Sequence, residues 1–360
     1  MIRVLALTRY GELGASSRLR FLQYLPHLAS CGMTIEVSPL FADDALRARY
    51  ESGAHQPFKL LQSFSRRVSA LLDRHRFNLL WIEKECLPWA PLWLEQRLLR
   101  GLRYALDYDD AIFHNYDLHR VRWVRSLLGG RIDRLMAGAS LVVGGNTYLA
   151  DRARHAGASH VEVVPTVIDL NRYPSPRRAP RLVSSGAVPK LVWIGSPSSA
   201  RYLQEIAAPL ASLANRVPFK LRVIGATVVM PSVDIELVPW SPDTEVEAIA
   251  ACDVGLMPLV DSPWERGKCG YKLVQYMACG LPVVASPVGV NTEIVRVGET
   301  GFLPERPEQW VNSLETLLRD PSMGRSLGSR GRQTVEASFC LQVTAPVMAS
   351  LLRAAAVQSA

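Results

Sequence analysis

The side chains best suited to chemistry lie between Glu265 and Phe302. Lys268 and Lys272 stand four residues apart, a spacing that predicts two ammonium groups on one helical face. Such a pair would neutralise a departing pyrophosphate, the main electrostatic demand in breaking a sugar–phosphate bond. Gln275, one turn further on, can bond a ribose diol, and Glu265, Cys269 and Gly270 belong to the same loop. Beyond them Val290-Asn291-Thr292-Glu293 opens a helix that Asn291 or Thr292 would cap. Free N–H groups there suit phosphate, and Glu293 suits a sugar hydroxyl. The stretch is built to hold a phosphorylated compound.

These groups need elements to position them. The pattern predicts a helix over Tyr271–Ala278, ended by Cys279-Gly280 with Pro282 beyond. Leu281–Ala285 is a short apolar run of the kind that fills a parallel strand covered on both faces. Ligands bind at the carboxyl ends of such strands. Three more loops are candidates. Gly195-Ser196-Pro-Ser-Ser-Ala-Arg201 follows a strand, with Ser198 or Ser199 as cap and Arg201 as a phosphate contact. Tyr10-Gly11-Glu-Leu-Gly14-Ala-Ser16-Ser17-Arg18 repeats the design near the N-terminus, where Ser16 and Ser17 would cap a helix and Gly14 allows close backbone approach. It lacks G-x-G-x-x-G, which speaks against a dinucleotide fingerprint. Asp107-Tyr-Asp109-Asp110 follows a buried strand. Three carboxylates in four residues need positive charge nearby, or hydroxyls to bond. With no histidine or further acid to complete a set, the residues point to no metal site. Glu83 and Glu85 end another strand.

Around these loops strand-like and helix-like segments alternate, which argues for parallel sheets with helices on both faces. In the first half the strands are Ile2–Leu7, Thr34–Ser38, Asn78–Glu83, Tyr104–Asp107, Leu141–Gly144 and Val161–Val164, with helices over Arg18–Cys31 and Phe58–His75. A proline-rich stretch, Arg172–Pro189, reads as a connection. The alternation then restarts. Strands are expected at Lys190–Ile194, Lys220–Ile224, Ile235–Val238 and Val254–Pro258, and helices at Ala200–Leu213, Thr244–Ala251, Gln309–Leu318, Pro321–Val335 and Leu341–Ala354. The domains expected are 1–168, a linker 169–189, 190–338, and a terminal helix in 339–360 that can pack back on the first domain.

Composition fits this reading. At 360 residues the chain exceeds one ordinary core, and 48% hydrophobic with 21% charged residues is typical of a folded protein. No run approaches the ~18 apolar residues of a membrane span. The N-terminus reads as a strand rather than a signal peptide, so a cytoplasmic location is expected. The six cysteines form no C-x-x-C pair and read as reduced, mostly buried thiols. Of the net charge of +8, residues 1–168 supply most, with 22 Lys+Arg against 16 Asp+Glu. That basic half would be drawn to the anionic inner face of a membrane or to an acidic, lipid-linked substrate. No nucleic-acid motif accompanies it.

The run K-C-G-Y-K-L-V-Q-Y-M-A-C-G-L-P-V-V-A-S-P-V-G-V-N-T-E-I-V resembles the glycosyltransferases of family 4, the group 1 type. V-V-P-T-V-I-D, D-V-G-L-M-P-L and, more loosely, G-E-L-G-A-S-S-R-L-R add to the likeness. It implies an α/β chain of GT-B architecture, with two Rossmann-like, doubly wound domains facing across a cleft. It also implies retaining, metal-independent transfer from a nucleoside-diphosphate sugar, without a further cofactor. The second domain would hold the donor through Gly195, Ser196, Cys269, Gly270, Gln275 and Val290–Glu293, with Gly14 from the first. Catalysis would fall to Lys268, Lys272, Arg201 and Glu265. Ser16, Arg18, Asp109 and Asp110 would meet a saccharide or lipid-linked saccharide acceptor, as in surface polysaccharide synthesis. The family usually carries E-x7-E, and Gly267 and Gln275 occupy those positions here, with Glu265 as the nearest substitute. Ser196 stands at the place of the family's arginine, and Arg201 lies near that of its lysine. Two other readings stay open: a nucleotide-sugar epimerase of similar fold, and a non-catalytic sugar-nucleotide-binding subunit.

Overall fold

The computed structural model describes residues 2–43, 57–174 and 188–357. They form two compact units. The first comprises the described residues of Met1–Thr166 with Gly267–Cys269 and Leu341–Ala360; the second comprises those of Val167–Arg266 and Gly270–Cys340. The expected second domain, 190–338, therefore differs in two respects. Val167–Tyr173 belongs to it, with Ile168 and Tyr173 in its core, while Gly267–Cys269 belongs to the first unit. Most of the expected linker, residues 175–187, lies outside the described residues.

The first unit holds six parallel strands: β1 Ile2–Leu7, β2 Met33–Val37, β3 Leu79–Glu83, β4 Tyr104–Tyr108, β5 Leu141–Gly144 and β6 Val161–Val163. Their order is β2-β1-β3-β4-β5-β6. Every residue of β3 and β4 is buried, as central strands covered on both faces require, whereas in the edge strand β2 exposed Thr34 and Glu36 alternate with buried or half-buried Met33, Ile35 and Val37. The helix Leu341–Val357 is part of this unit. Tyr24 and Thr344 share a hydroxyl hydrogen bond of 3.0 Å, and Arg103 and Arg353 donate to the carbonyls of Ala356 and Cys31.

The second unit repeats the plan with β7 Lys190–Ile194, β8 Lys220–Ile224, β9 Ile235–Val238, β10 Val254–Met257, β11 Val283–Ala285 and β12 Gly301–Phe302, ordered β12-β11-β10-β7-β8-β9. Side chains along β7 alternate between two cores. Val192 and Ile194 join Leu273, Tyr276 and Met277 of the helix Tyr271–Ala278, and Leu191 and Trp193 join Trp310 and Leu314 of the helix Pro307–Arg319. Two expected helices are interrupted. Arg18–Cys31 becomes Ala15–Arg20, a 3-10 turn, and Leu25–Ser30; Ala200–Leu213 becomes Arg201–Gln204 and Ala207–Ala214. Pro26 and Pro209 lie just past the breaks, and neither has an N–H to continue the ladder. Among the described residues no helix is long and apolar enough to cross a membrane.

Candidate functional site

In the second unit, parallel β7, β10 and β11 end on the same side, and the loops after them carry the donor-side candidates. Arg201, in the first turn after the Gly195 loop, donates to Glu265 at 3.3 Å and to the Tyr202 hydroxyl at 3.0 Å. Glu265 is 3% exposed and also accepts from Tyr202 and Ser262. Its carboxylate is thus fixed by three neighbours while the Arg201 side chain stays 68% exposed. Lys272 places its ammonium 5.8 Å from the centroid of the Trp193 ring, a cation–π contact that ties the first turn of Tyr271–Ala278 to β7. Gly270 precedes that helix at φ 63°, and a side chain there would run into Ile294 at 2.4 Å and Val290 at 3.1 Å. Only glycine brings this loop so close to the Val290–Glu293 segment.

Several sequence expectations are corrected here. The helix begins at Tyr271, so Lys268 precedes it in a loop of the first unit and the two lysines do not share a helical face. Gln275 is 3% exposed and donates to the Tyr173 hydroxyl at 3.0 Å, so its amide faces the core. None of the expected serine or Asx caps forms. Gly14, Ala200 and Val290 occupy the N-cap positions of their helices without a side-chain hydrogen bond. Ser17 instead donates to Glu83 at 2.6 Å, Ser199 donates to the Ser196 carbonyl, and Asn291 donates to the Ser286 carbonyl. The helix Asn291–Ile294 is a single turn, too short to present an anion site of its own, and Thr292 bonds back to the Gly289 carbonyl.

The first unit gathers the other candidates at the carboxyl ends of β3 and β4. Asp107 pairs with Arg20 at 2.7 Å, and Arg20 also donates to the Val164 carbonyl. Asp109 and Asp110 share the ammonium of Lys84, at 2.8 and 3.5 Å. Lys268 stands 3.8 Å from Asp110, and its carbonyl accepts from Asn146 at 2.9 Å. The Cys269 thiol donates to the Asp109 carbonyl at 3.1 Å, and burial pushes that thiol well up, away from the reactive thiolate. Burial works against ionisation at all three acids. It raises Asp107 to about 6 in spite of Arg20 and leaves Asp110 above its usual range, whereas Lys84, Ser16 and Arg20 outweigh it and hold Asp109 below. Arg18 donates to the Glu12 carbonyl at 2.8 Å.

Lys84 is the residue that sequence reading missed. It is 6% exposed and sits at φ 66°, a left-handed conformation that costs a non-glycine residue about 1–3 kcal/mol and recurs at functional sites. The signal was the need of Asp107–Asp110 for positive charge, which Arg20 meets at Asp107 and Lys84 at Asp109 and Asp110. Gly267 stands where the resemblance led to the expectation of a carboxylate. A Cβ there would lie 2.4 Å from Ala111 Cβ and 2.8 Å from its backbone nitrogen, so this backbone has no room for a glutamate.

A family model described as glycosyl transferases group 1 matches residues 178–320. The D-inositol 3-phosphate glycosyltransferase of Rhodococcus jostii is 27% identical over 252 residues, covering 62% of this chain and 54% of that one. A GDP-mannose-dependent α-(1-6)-phosphatidylinositol dimannoside mannosyltransferase of Mycobacterium tuberculosis is 26% identical, covering 63% and 61%. The chain thus spans only a little over half the length of these curated relatives. Among solved structures, sucrose-phosphate synthase of Thermosynechococcus elongatus superposes with a TM-score of 0.72 at 17% identity, covering 98% of both chains. Anabaena Alr3699/HepE, solved with UDP-glucose, gives 0.71 at 16% identity, covering 98% of this chain and 100% of that one. Over residues 178–320 the chain is thus similar to the group 1 glycosyltransferases, and its fold is that of these solved structures, GT-B.

Proposed function

We propose that this protein transfers a hexose-type sugar from a nucleoside-diphosphate donor to a hydroxyl acceptor, with retention of configuration and without a metal ion. The observation that carries the reading is the set at the carboxyl ends of β7, β10 and β11. There Arg201 is braced by the buried Glu265, Lys272 is braced by Trp193, and a glycine-only loop adjoins Val290–Glu293. The two cations draw off the charge that develops on the departing diphosphate. Preorganisation by Glu265 and Trp193 means they need not reorganise as that charge appears. Glu265 acts through Arg201, as a positioning residue.

In the first unit Asp109 and Asp110, poised by Lys84 and with Ser16 beside Asp109, receive the acceptor hydroxyl, and Arg18 is a further acceptor contact. A lipid-linked saccharide at an anionic membrane face suits the basic half of the chain. The mycobacterial relative, named for a phosphatidylinositol mannoside, supports such an acceptor. UDP-glucose and GDP-mannose are the first donors to try, being those named for HepE and that relative.

The test is transfer assayed by nucleoside-diphosphate release in the presence of EDTA, with the anomeric configuration of the product read by NMR. Lys272→Ala should lower turnover by ~10² or more while donor binding persists. An unchanged rate removes Lys272 from the mechanism, and an inverted product removes retention. A binding-only role is favoured by one observation, the glycine sealed against Ala111 where the family carries a carboxylate. Donor binding with no diphosphate release under any acceptor would establish that role instead.

A further inference from the structure

The helix Arg122–Leu128 has no buried residue, although four of its seven residues are apolar. Trp123 is 76% and Leu127 71% exposed, and their i, i+4 spacing places them on one stripe. Leu118 and Val121, just before the helix, are exposed as well. Trp89, also exposed, sets its ring edge-on to His119 at 5.8 Å and against Tyr116 at 4.9 Å, which extends the apolar surface beyond the segment. Folding leaves this surface in water at a cost, and something must cover it.

The charge on the segment identifies the occupant. From Leu118 to Gly130 there are three arginines, Arg120, Arg122 and Arg125, and no carboxylate. Arg125 is fixed in place by donating to the carbonyls of His119 at 2.5 Å and Arg120 at 3.2 Å, so the turn into the helix is preformed. An exposed tryptophan and leucines on a short helix, with three arginines among them and the adjoining Asp117 already paired with Arg152 and His114, match a membrane interface. The rings and methyl groups enter the headgroup–acyl boundary while guanidinium groups meet lipid phosphates. A protein partner would more often be met by charges of both signs at the rim of such a patch.

We propose that the segment Leu118–Leu128, with Trp89, is the surface by which this chain docks on an anionic lipid bilayer. The inference rests on the lipid-linked acceptor reading above and names the side chains that would bring the protein to it. Binding should be weak and reversible, since the helix has only two turns and a single tryptophan, and it should fall as salt screens the arginines.

The experiment is flotation of the whole chain with phosphatidylcholine vesicles and with vesicles that also contain phosphatidylglycerol, at low and high salt. Wild type should float with the anionic vesicles at low salt only. Trp123→Ser with Leu127→Ser should lower the bound fraction about tenfold or more. Arg120→Gln with Arg122→Gln should remove the preference for anionic lipid. Because all four side chains are exposed, an unchanged thermal midpoint serves as the folding control, and transfer to a water-soluble acceptor should stay at the wild-type rate. Equal flotation with both vesicle types, or undiminished flotation of the Trp123/Leu127 variant, overturns the proposal. So does a dimer of the wild type that the same variant abolishes while no vesicle binding is seen. Vesicle binding without sugar transfer would sink the catalytic reading and leave this one standing; transfer to a soluble acceptor without vesicle binding would do the reverse.

Discussion

Replacing Lys84 by methionine keeps the aliphatic stem and the left-handed backbone and removes only the ammonium. That ammonium lies 2.8 Å from Asp109 and 3.5 Å from Asp110, with the lysine side chain 7% exposed and the two carboxylates 13% and 32%. At an effective dielectric near 20 the closer attraction is on the order of 6 kcal/mol, largely offset by the cost of taking the ammonium out of water. Removing one partner of a buried pair strands the other and costs about 3–5 kcal/mol. The low end applies, because Asp110 is partly wet and Lys268 stays 3.8 Å away. A loss of about 3 kcal/mol should lower the melting midpoint of a unit this size by about 6–12 °C.

The pH dependence supplies a sharper check. Without Lys84 the folded-state pKa values of Asp109 and Asp110 rise above the ordinary 3.8. The folded variant then binds more protons than its unfolded chain, so its stability falls as pH rises through the raised values. The deficit against wild type should therefore be largest at neutral pH and shrink toward pH ~4. Adding Asp109→Asn to Lys84→Met should restore part of the loss. Calorimetry across that pH range decides the matter. A Lys84→Met protein as stable as wild type, or a deficit that does not change with pH, would refute the electrostatic account of this cluster.

Gly267→Ala should destabilise the first unit by about 1–3 kcal/mol through overpacking against Ala111, as read by denaturant titration; no loss would mean that the backbone there yields easily. Arg222 and Lys190 hold the Glu236 carboxyl down to about 2 from 4.5. Its contribution is thus present above pH 4.5 and lost as pH falls toward about 2, so Glu236→Gln should be less stable than wild type at neutral pH and converge with it in acid. The difference should be modest, because this side chain is 34% exposed and its pairing is screened by solvent. Tyr173→Phe should loosen the helix Tyr271–Ala278 by removing the acceptor of the Gln275 amide, visible as faster amide exchange along that helix.

The sheets were legible in the sequence because their strands carry short, mostly apolar runs between turn residues. Ile2–Leu7, Leu141–Gly144, Lys190–Ile194, Lys220–Ile224 and Ile235–Val238 have the bounds their patterns suggest. Helix Tyr271–Ala278 was equally plain, framed by glycines on both sides. Two kinds of feature escaped. Breaks at Pro26 and Pro209 were masked by leucines whose helical spacing runs through them, so periodicity overrode backbone chemistry. Pairings distant in sequence could not be read from spacing either. Lys84 meets Asp109 across two strands, Gln275 turns inward because Tyr173 is there to receive it, and Gly267 is sealed by Ala111. Lys268 and Lys272 show the limit best. Four residues apart, they belong to different compact units, because the helix starts three residues later than an i, i+4 pair requires.

The most direct test of the central claim is a calorimetric titration of the protein with UDP-, GDP- and ADP-sugars, repeated on Lys272→Ala and Arg201→Ala. One donor class should bind in the presence of EDTA, and the free nucleoside diphosphate should lose more affinity than the bare nucleoside in both variants. Binding of every donor class with equal and mutation-independent affinity, or of none, would contradict the account.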